Sequence, residues 1–241
     1  LHYRSHSFPT RRSSDLITLM KKNILIIGFG DIAYRLSKLV NKKKYRIYGI
    51  SRSNKFLDNK DYIYWDWFSQ DLPELNNLEF DTIIFFPKPV SLDKEGYLKG
   101  FVASAENIYK LVNAISYKRF ISISSTRIYG KKENKLFTES DEVKPNEYRG
   151  KTIKKYEDLQ IKNFNEKLII LRFSGLYSVF KNRSTNFLHR NNAAEIIKFF
   201  IEKDFVFDSY QIFNCSEDSD SSTNISNKKL KKAGFIFTTF N

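Results

Sequence analysis

The sequence predicts an α/β fold, an open, doubly wound parallel sheet followed by a small C-terminal lobe. Three observations predict it. Short β-rich runs alternate with amphipathic helical stretches along most of the 241 residues. The first run, "NILIIGFG", is apolar and closes on glycines, as a strand covered on both faces does. The spacing at which strands and helices alternate implies a doubly wound parallel sheet.

The elements follow in order. After the first strand, "DIAYRLSKLVNK" places Ile32, Leu36, Leu39 and Val40 on one helical face, opened by Asp31. "YRIYGIS" reads as the second strand, "YIYWDW" as a short third, and "FDTIIFFP" as the fourth, closed by Pro87 and Pro89. "YLKGFVASAENIYKLVNAISY" reads as a long helix and "RFISISS" as the fifth strand. A helix over 149–163 and a sixth strand, "KLIILRFSGLY", complete the pattern. "SEDSDSST" at 216–223 reads as an exposed loop, and "GFIFTTFN" as the opening of a strand that the sequence cuts short.

Residues 1–19, "LHYRSHSFPTRRSSDLITL", show no hydrophobic period and no apolar core of a secretory signal. Met20, the single methionine, stands directly before the first strand. The segment "SFPTRRSSDL" resembles translated adapter read-through, so 1–19 is expected to be a disordered, non-native leader, with an Arg-rich transit peptide as the competing reading. The expected division is therefore 1–19 leader, 20–170 nucleotide-binding core, and 171–241 sixth strand with a small lobe.

The net charge of +14 raises a nucleic-acid reading. The lysines, however, fall in short scattered runs, and no helix-turn-helix, zinc or RNA-binding signature accompanies them, so nucleic acid is not an expected partner. The apolar runs are too short to span a bilayer. A single cysteine, Cys215, precludes an internal disulfide and fits a reducing, cytoplasmic setting, where it reads as a small buried residue near a strand end. With His2 and His6 in the leader, His189 stands alone, and no metal site is expected.

"IIGFGDIAYRL" gives Gly28-x-Gly30-x-x-Ala33 after a strand and at a helix start. Gly28 allows the tight turn, Gly30 lets backbone approach a pyrophosphate, and Ala33 allows close helix–strand packing. Phe29, Asp31 and Ile32 complete the turn, and the helix start offers free N–H groups to the phosphates. At the end of the second strand, where a carboxylate would grip the ribose of NAD, the chain has Ser51 and Arg52. A guanidinium there suits a 2′-phosphate, so NADP is the expected dinucleotide and NAD the alternative. Asp66 is the candidate for the adenine end.

The glycine turn at 28–33, with "SISSTRIYG" at 122–130, "ILRFSGLY" at 170–177 and "FLHRNNAAEII" at 187–197, carries a resemblance to the extended short-chain dehydrogenase/reductase superfamily, in its NAD-dependent epimerase/dehydratase group. The resemblance runs from Met20 to about residue 215 and implies a Rossmann-type core with a substrate lobe. It implies that Ser125 hydrogen-bonds a substrate carbonyl or hydroxyl, and it sets Asn192 where an aspartate is usual. The family's Tyr-x-x-x-Lys pair has no counterpart. Arg149 takes the tyrosine position and Ile153 the lysine position; Tyr148 lies one residue early with Thr152 four residues on, and Tyr156 is followed at that spacing by Gln160. A one-residue slip turns a side chain by about 100° round the helix, so Tyr148 is not a simple replacement.

The resemblance is thus to an atypical member. Tyr148 reads either as a shifted proton donor or as a solvent-facing helix-start residue, and Arg149 either as an anion-binding group or as the same. Two functions stay open: an NADP-dependent reductase or epimerase of a sugar nucleotide or similar polar metabolite, and a non-catalytic dinucleotide-binding protein that senses redox state or acts as a scaffold. The resemblance also brings in a homodimer through helix faces. His189 is expected to hydrogen-bond locally at a helix start.

Overall fold

The structure, a computed structural model, describes residues 21–53, 61–69, 71–75, 78–130, 135–179, 186–218 and 224–240. The expected leader with Met20 and part of the loop at 216–223 lie outside them.

Seven strands form the central sheet: β1 (Lys22–Ile27), β2 (Tyr45–Ser51), β3 (Tyr62–Tyr64), β4 (Glu79–Phe85), β5 (Ser116–Ser125), β6 (Leu168–Phe173) and, later in the chain, β9 (Gln211–Cys215). Their order is β3-β2-β1-β4-β5-β6-β9, and every pairing is parallel. This is the Rossmann-type order, with β9 added at the far edge. The chain runs one way from β1 to β3 and the other way from β4 onward. The crevice at the carboxyl ends of β1 and β4 is therefore the topological switch point.

Alternation along the strands explains the two-sided core. Ile24 and Ile26 face α1 (Asp31–Leu39) and α5 (Arg190–Glu202), packing with Leu36, Ile197 and Phe200. Leu25 and Ile27 face the other way, into the cluster that holds Ile153 and Tyr156 of α4 (Tyr148–Phe164) and Ile108 of α3 (Ser104–Asn113). All four of these β1 side chains have no exposed surface, which is why the run is apolar at every position.

Several expected elements change. The long helix begins earlier, at α2 (Lys94–Tyr97), and reaches α3 through a π-helical turn, Leu98–Ala103. It stops at Asn113, so Ser116 and Tyr117 belong to β5. "KLIILRFSGLY" is two strands. β6 ends at Phe173, where the Ser174 N–H donates to the carbonyl of Cys215 on β9. The chain then leaves the sheet as β7 (Gly175–Tyr177), paired with β8 (Phe187–His189). The expected division after residue 170 falls inside β6, and β9 returns to the same sheet.

Residues 235–240 form no strand. Phe235 and Phe237 pack into the α1–α5 core instead, and the backbone bonds a ladder would make go to Asn192, whose side chain both donates to and accepts from Thr238. A short helix, α6 (Lys228–Lys232), precedes this segment. Cys215 ends β9 with no exposed surface, and burial pushes its thiol pKa well up.

Candidate functional site

A cleft of 480 Å³ opens at the switch point. Its walls include the whole glycine turn, Gly28 to Ala33, together with Ser51, the last residue of β2, and Arg52 after it. Two backbone facts shape it. Gly28 has φ +88°, and a Cβ there would lie 2.6 Å from the carbonyl oxygen of Phe86, the residue after β4. Gly30 is extended, and a Cβ there would find its nearest neighbour, the Gly28 oxygen, only at 4.0 Å. The first glycine is required by the protein itself. The second leaves open space on the cleft side.

The Gly28 and Phe29 N–H groups both donate to the Ile50 carbonyl, which stitches the turn to the end of β2. The first helical bond runs from Tyr34 N–H to the Gly30 carbonyl, so the N–H groups of Asp31, Ile32 and Ala33 have no intrahelical acceptor. Helix starts of this kind favour anions.

Around the turn after β2, the Ser51 hydroxyl donates to the Ser53 carbonyl. Arg52 is exposed, and its guanidinium lies over the Trp67 ring at 5.9 Å. Among the described residues no carboxylate pairs with Arg52. The Trp67 indole N–H donates to the Ser104 hydroxyl, which fixes the ring as a wall of the cleft. Asp66 is not in that wall. Its carboxylate accepts the Phe68 N–H and its carbonyl the Ser69 N–H, and this turn presents Trp67 and Phe68 to the cleft instead. The segment Phe86–Val90 supplies the opposite side. None of these aromatic and post-β4 residues was a sequence candidate; the prolines that close "FFPKPV" at the switch point were the available signal.

Asp31, at the first position of α1, is held by Arg35 and by Arg190 of α5, with Arg190 Nη1 at 2.8 Å from Oδ2. Partial burial raises the Asp31 pKa, but the bonds from Arg190 and Arg35 outweigh it, and the carboxyl sits below its ordinary range.

Ser125, Tyr148 and Arg149 do not line this cleft. The Ser125 hydroxyl accepts the Arg127 N–H and caps the 3₁₀ turn Thr126–Tyr129. That turn meets the start of α4 through the Arg127–Glu147 ion pair at 3.2 Å. Tyr148 donates its hydroxyl to the Leu92 carbonyl, two residues past the cleft wall, and accepts from Arg149 Nε at 3.0 Å. The Arg149 guanidinium lies 5.5 Å from the ring centres of both Tyr97 and Tyr148.

Four residues beyond Arg149, Ile153 is 2% exposed in the apolar core, and Thr152 donates back to the Tyr148 carbonyl. Tyr156 is fully buried, shares a hydrogen bond with Ser122 at 2.7 Å, and has its phenol pKa pushed well up by burial. His189 caps α5, its Nδ1 accepting the Asn191 N–H. No helix among the described residues is long and apolar enough to cross a membrane.

No protein-family model and no curated protein matches the chain. Solved structures do. A Methylobacillus flagellatus protein provisionally assigned as an NAD-dependent epimerase/dehydratase aligns with TM-score 0.68 and 15% identity, over 90% of this chain and 93% of that one. UDP-N-acetylglucosamine 4-epimerase from Bacillus cereus gives 0.68 and 15%, over 88% and 91%. UDP-glucuronic acid 4-epimerase from Bacillus cereus, in complex with NAD, gives 0.64 and 18%, over 82% and 78%. At these identities the likeness is one of fold: the chain has the α/β architecture on which those epimerases are built.

Proposed function

We propose that the cleft holds a nicotinamide dinucleotide, NADP before NAD, in an atypical protein of the epimerase/dehydratase type acting on a sugar nucleotide or similar polar metabolite. The observation that carries this is Gly30. Its missing side chain leaves space at a helix start, at the switch point, where a pyrophosphate would approach the backbone. The solved structures of like fold that hold NAD, or UDP-glucose with NAD, support the ligand class.

Arg52 supports the phosphorylated dinucleotide. It directly follows β2, where a dinucleotide's ribose is expected on this fold, pairs with no described carboxylate, and is set over Trp67. When bound, the nicotinamide supplies and takes back hydride. The Ser125 hydroxyl accepts from Arg127 and keeps its own proton to donate to a substrate oxygen. Arg149 and Tyr148 would act, if they reach substrate, only after the Tyr148 hydroxyl leaves the Leu92 carbonyl. The single buried cysteine supports a reducing, cytoplasmic setting.

A second reading is a dinucleotide-binding protein without turnover. It is favoured by the doubly engaged Tyr148 hydroxyl and by the buried Ile153 where a lysine would be needed. Incubation with NADP or NAD and a panel of UDP-sugars, followed by nicotinamide absorbance and by sugar analysis, separates the two. Turnover that falls in Ser125→Ala supports the enzyme. Dinucleotide binding with no product in any mixture supports the second reading.

A further inference from the structure

Asp31 poses a physical problem. A carboxylate at the first position of the helix that faces the cleft would repel a pyrophosphate by about 1 kcal/mol at 4 Å in water, and by more where solvent is excluded. The structure answers with two cations. Arg35 reaches back from the next turn of α1, and Arg190 comes from the start of α5, 159 residues away in sequence. The three side chains together carry one net positive charge.

The two arginines are not equivalent. Arg35 is committed, with Nε on Asp31 and Nη1 on the Asn191 side chain. Arg190 is tethered to Asp31 through Nη1 alone, and its Nε is buried with no acceptor among the described residues. A buried N–H of a cation without an acceptor is costly, and it marks a place where an oxygen ligand would be favoured. Arg190 does not itself line the cleft; its side chain is 38% exposed and adjoins the cleft through Asp31, which does line it.

We propose that Arg190 is a pyrophosphate-binding residue, delivered from the second half of the chain to the glycine turn, where its charge offsets the Asp31 carboxylate. This rests on the dinucleotide reading of the cleft and adds a contact from outside the glycine turn. The plain alternative is that the Asp31–Arg190 pair only clamps α1 to α5.

The test is calorimetric titration of ADP and of adenosine into the full chain and into Arg190→Gln, Arg190→Lys and Asp31→Asn, with thermal stability measured in parallel. The proposal expects Arg190→Gln to weaken ADP about tenfold while adenosine is unchanged. Arg190→Lys should recover part of the loss, and Asp31→Asn should tighten ADP about threefold through removal of a like charge. Equal weakening by Arg190→Gln and Asp31→Asn would mean a clamp and overturn the proposal, as would ADP binding by Arg190→Gln at wild-type strength. Failure of the wild-type chain to bind ADP or any nicotinamide dinucleotide is a separate outcome and removes the cleft reading itself.

Discussion

Gly28 and Phe86 meet where β1 and β4 end, and the Cβ that Gly28 lacks would stand 2.6 Å from the Phe86 carbonyl oxygen. The left-handed φ of +88° adds a conformational demand that only glycine meets cheaply. Gly30, two residues on, meets neither demand. Gly28→Ala should therefore destabilise the fold by about 1–3 kcal/mol. Gly30→Ala should leave stability within about 0.5 kcal/mol and weaken dinucleotide binding about tenfold or more. Denaturant unfolding and ligand titration on the same two variants check the split, and loss of stability without loss of binding in Gly30→Ala would contradict it.

Arg172 and Glu157 form a buried bidentate pair, with side chains 4% and 3% exposed and a closest contact of 2.7 Å. Ser124 donates to the same carboxylate, and Arg172 donates to the Tyr129 hydroxyl, so the network ties α4 to β5 and β6. Removing one partner strands the other charge. Glu157→Leu should cost about 3–5 kcal/mol, and adding Arg172→Met should recover much of it. Urea unfolding of the single and double variants measures this; a single variant within error of wild type would show that the pair is not buried as described.

The Asp31 pKa is depressed in the folded protein. Its contribution to stability is therefore full above the unfolded value near 4 and is lost as pH falls through the lower folded value. The melting-temperature gap between wild type and Asp31→Asn should be widest near neutrality and close as the solution is acidified through that window. A gap that does not change with pH would place the carboxylate outside the Arg35–Arg190 cluster.

How legible the site was depended on sequence distance. The glycine turn is local: strand, turn and helix start lie within one short run, and each residue's role follows from its neighbours. The place of Arg52 in the cleft wall was legible for the same reason, as the residue after the second strand. Trp67 and Phe68 were not, because their direction is set by the Asp66 turn and not by strand alternation. Arg190 was hidden by its separation of 159 positions from Asp31. The break between β6 and β7 was missed because "ILRFSGLY" is continuous in β propensity, whereas the exit from the sheet is made by the bond from Ser174 to Cys215, 41 positions further on in β9. The C-terminal segment read as a strand from composition alone, but Asn192 takes its hydrogen bonds.

The measurement that tests the account most directly is calorimetric titration of the protein with NADPH and, separately, with NADH, repeated on Arg52→Gln. The account predicts binding of both, NADPH the tighter, and a preference that collapses in the variant while NADH affinity holds. Binding of neither would contradict it, and so would a preference for NADH that Arg52→Gln leaves untouched.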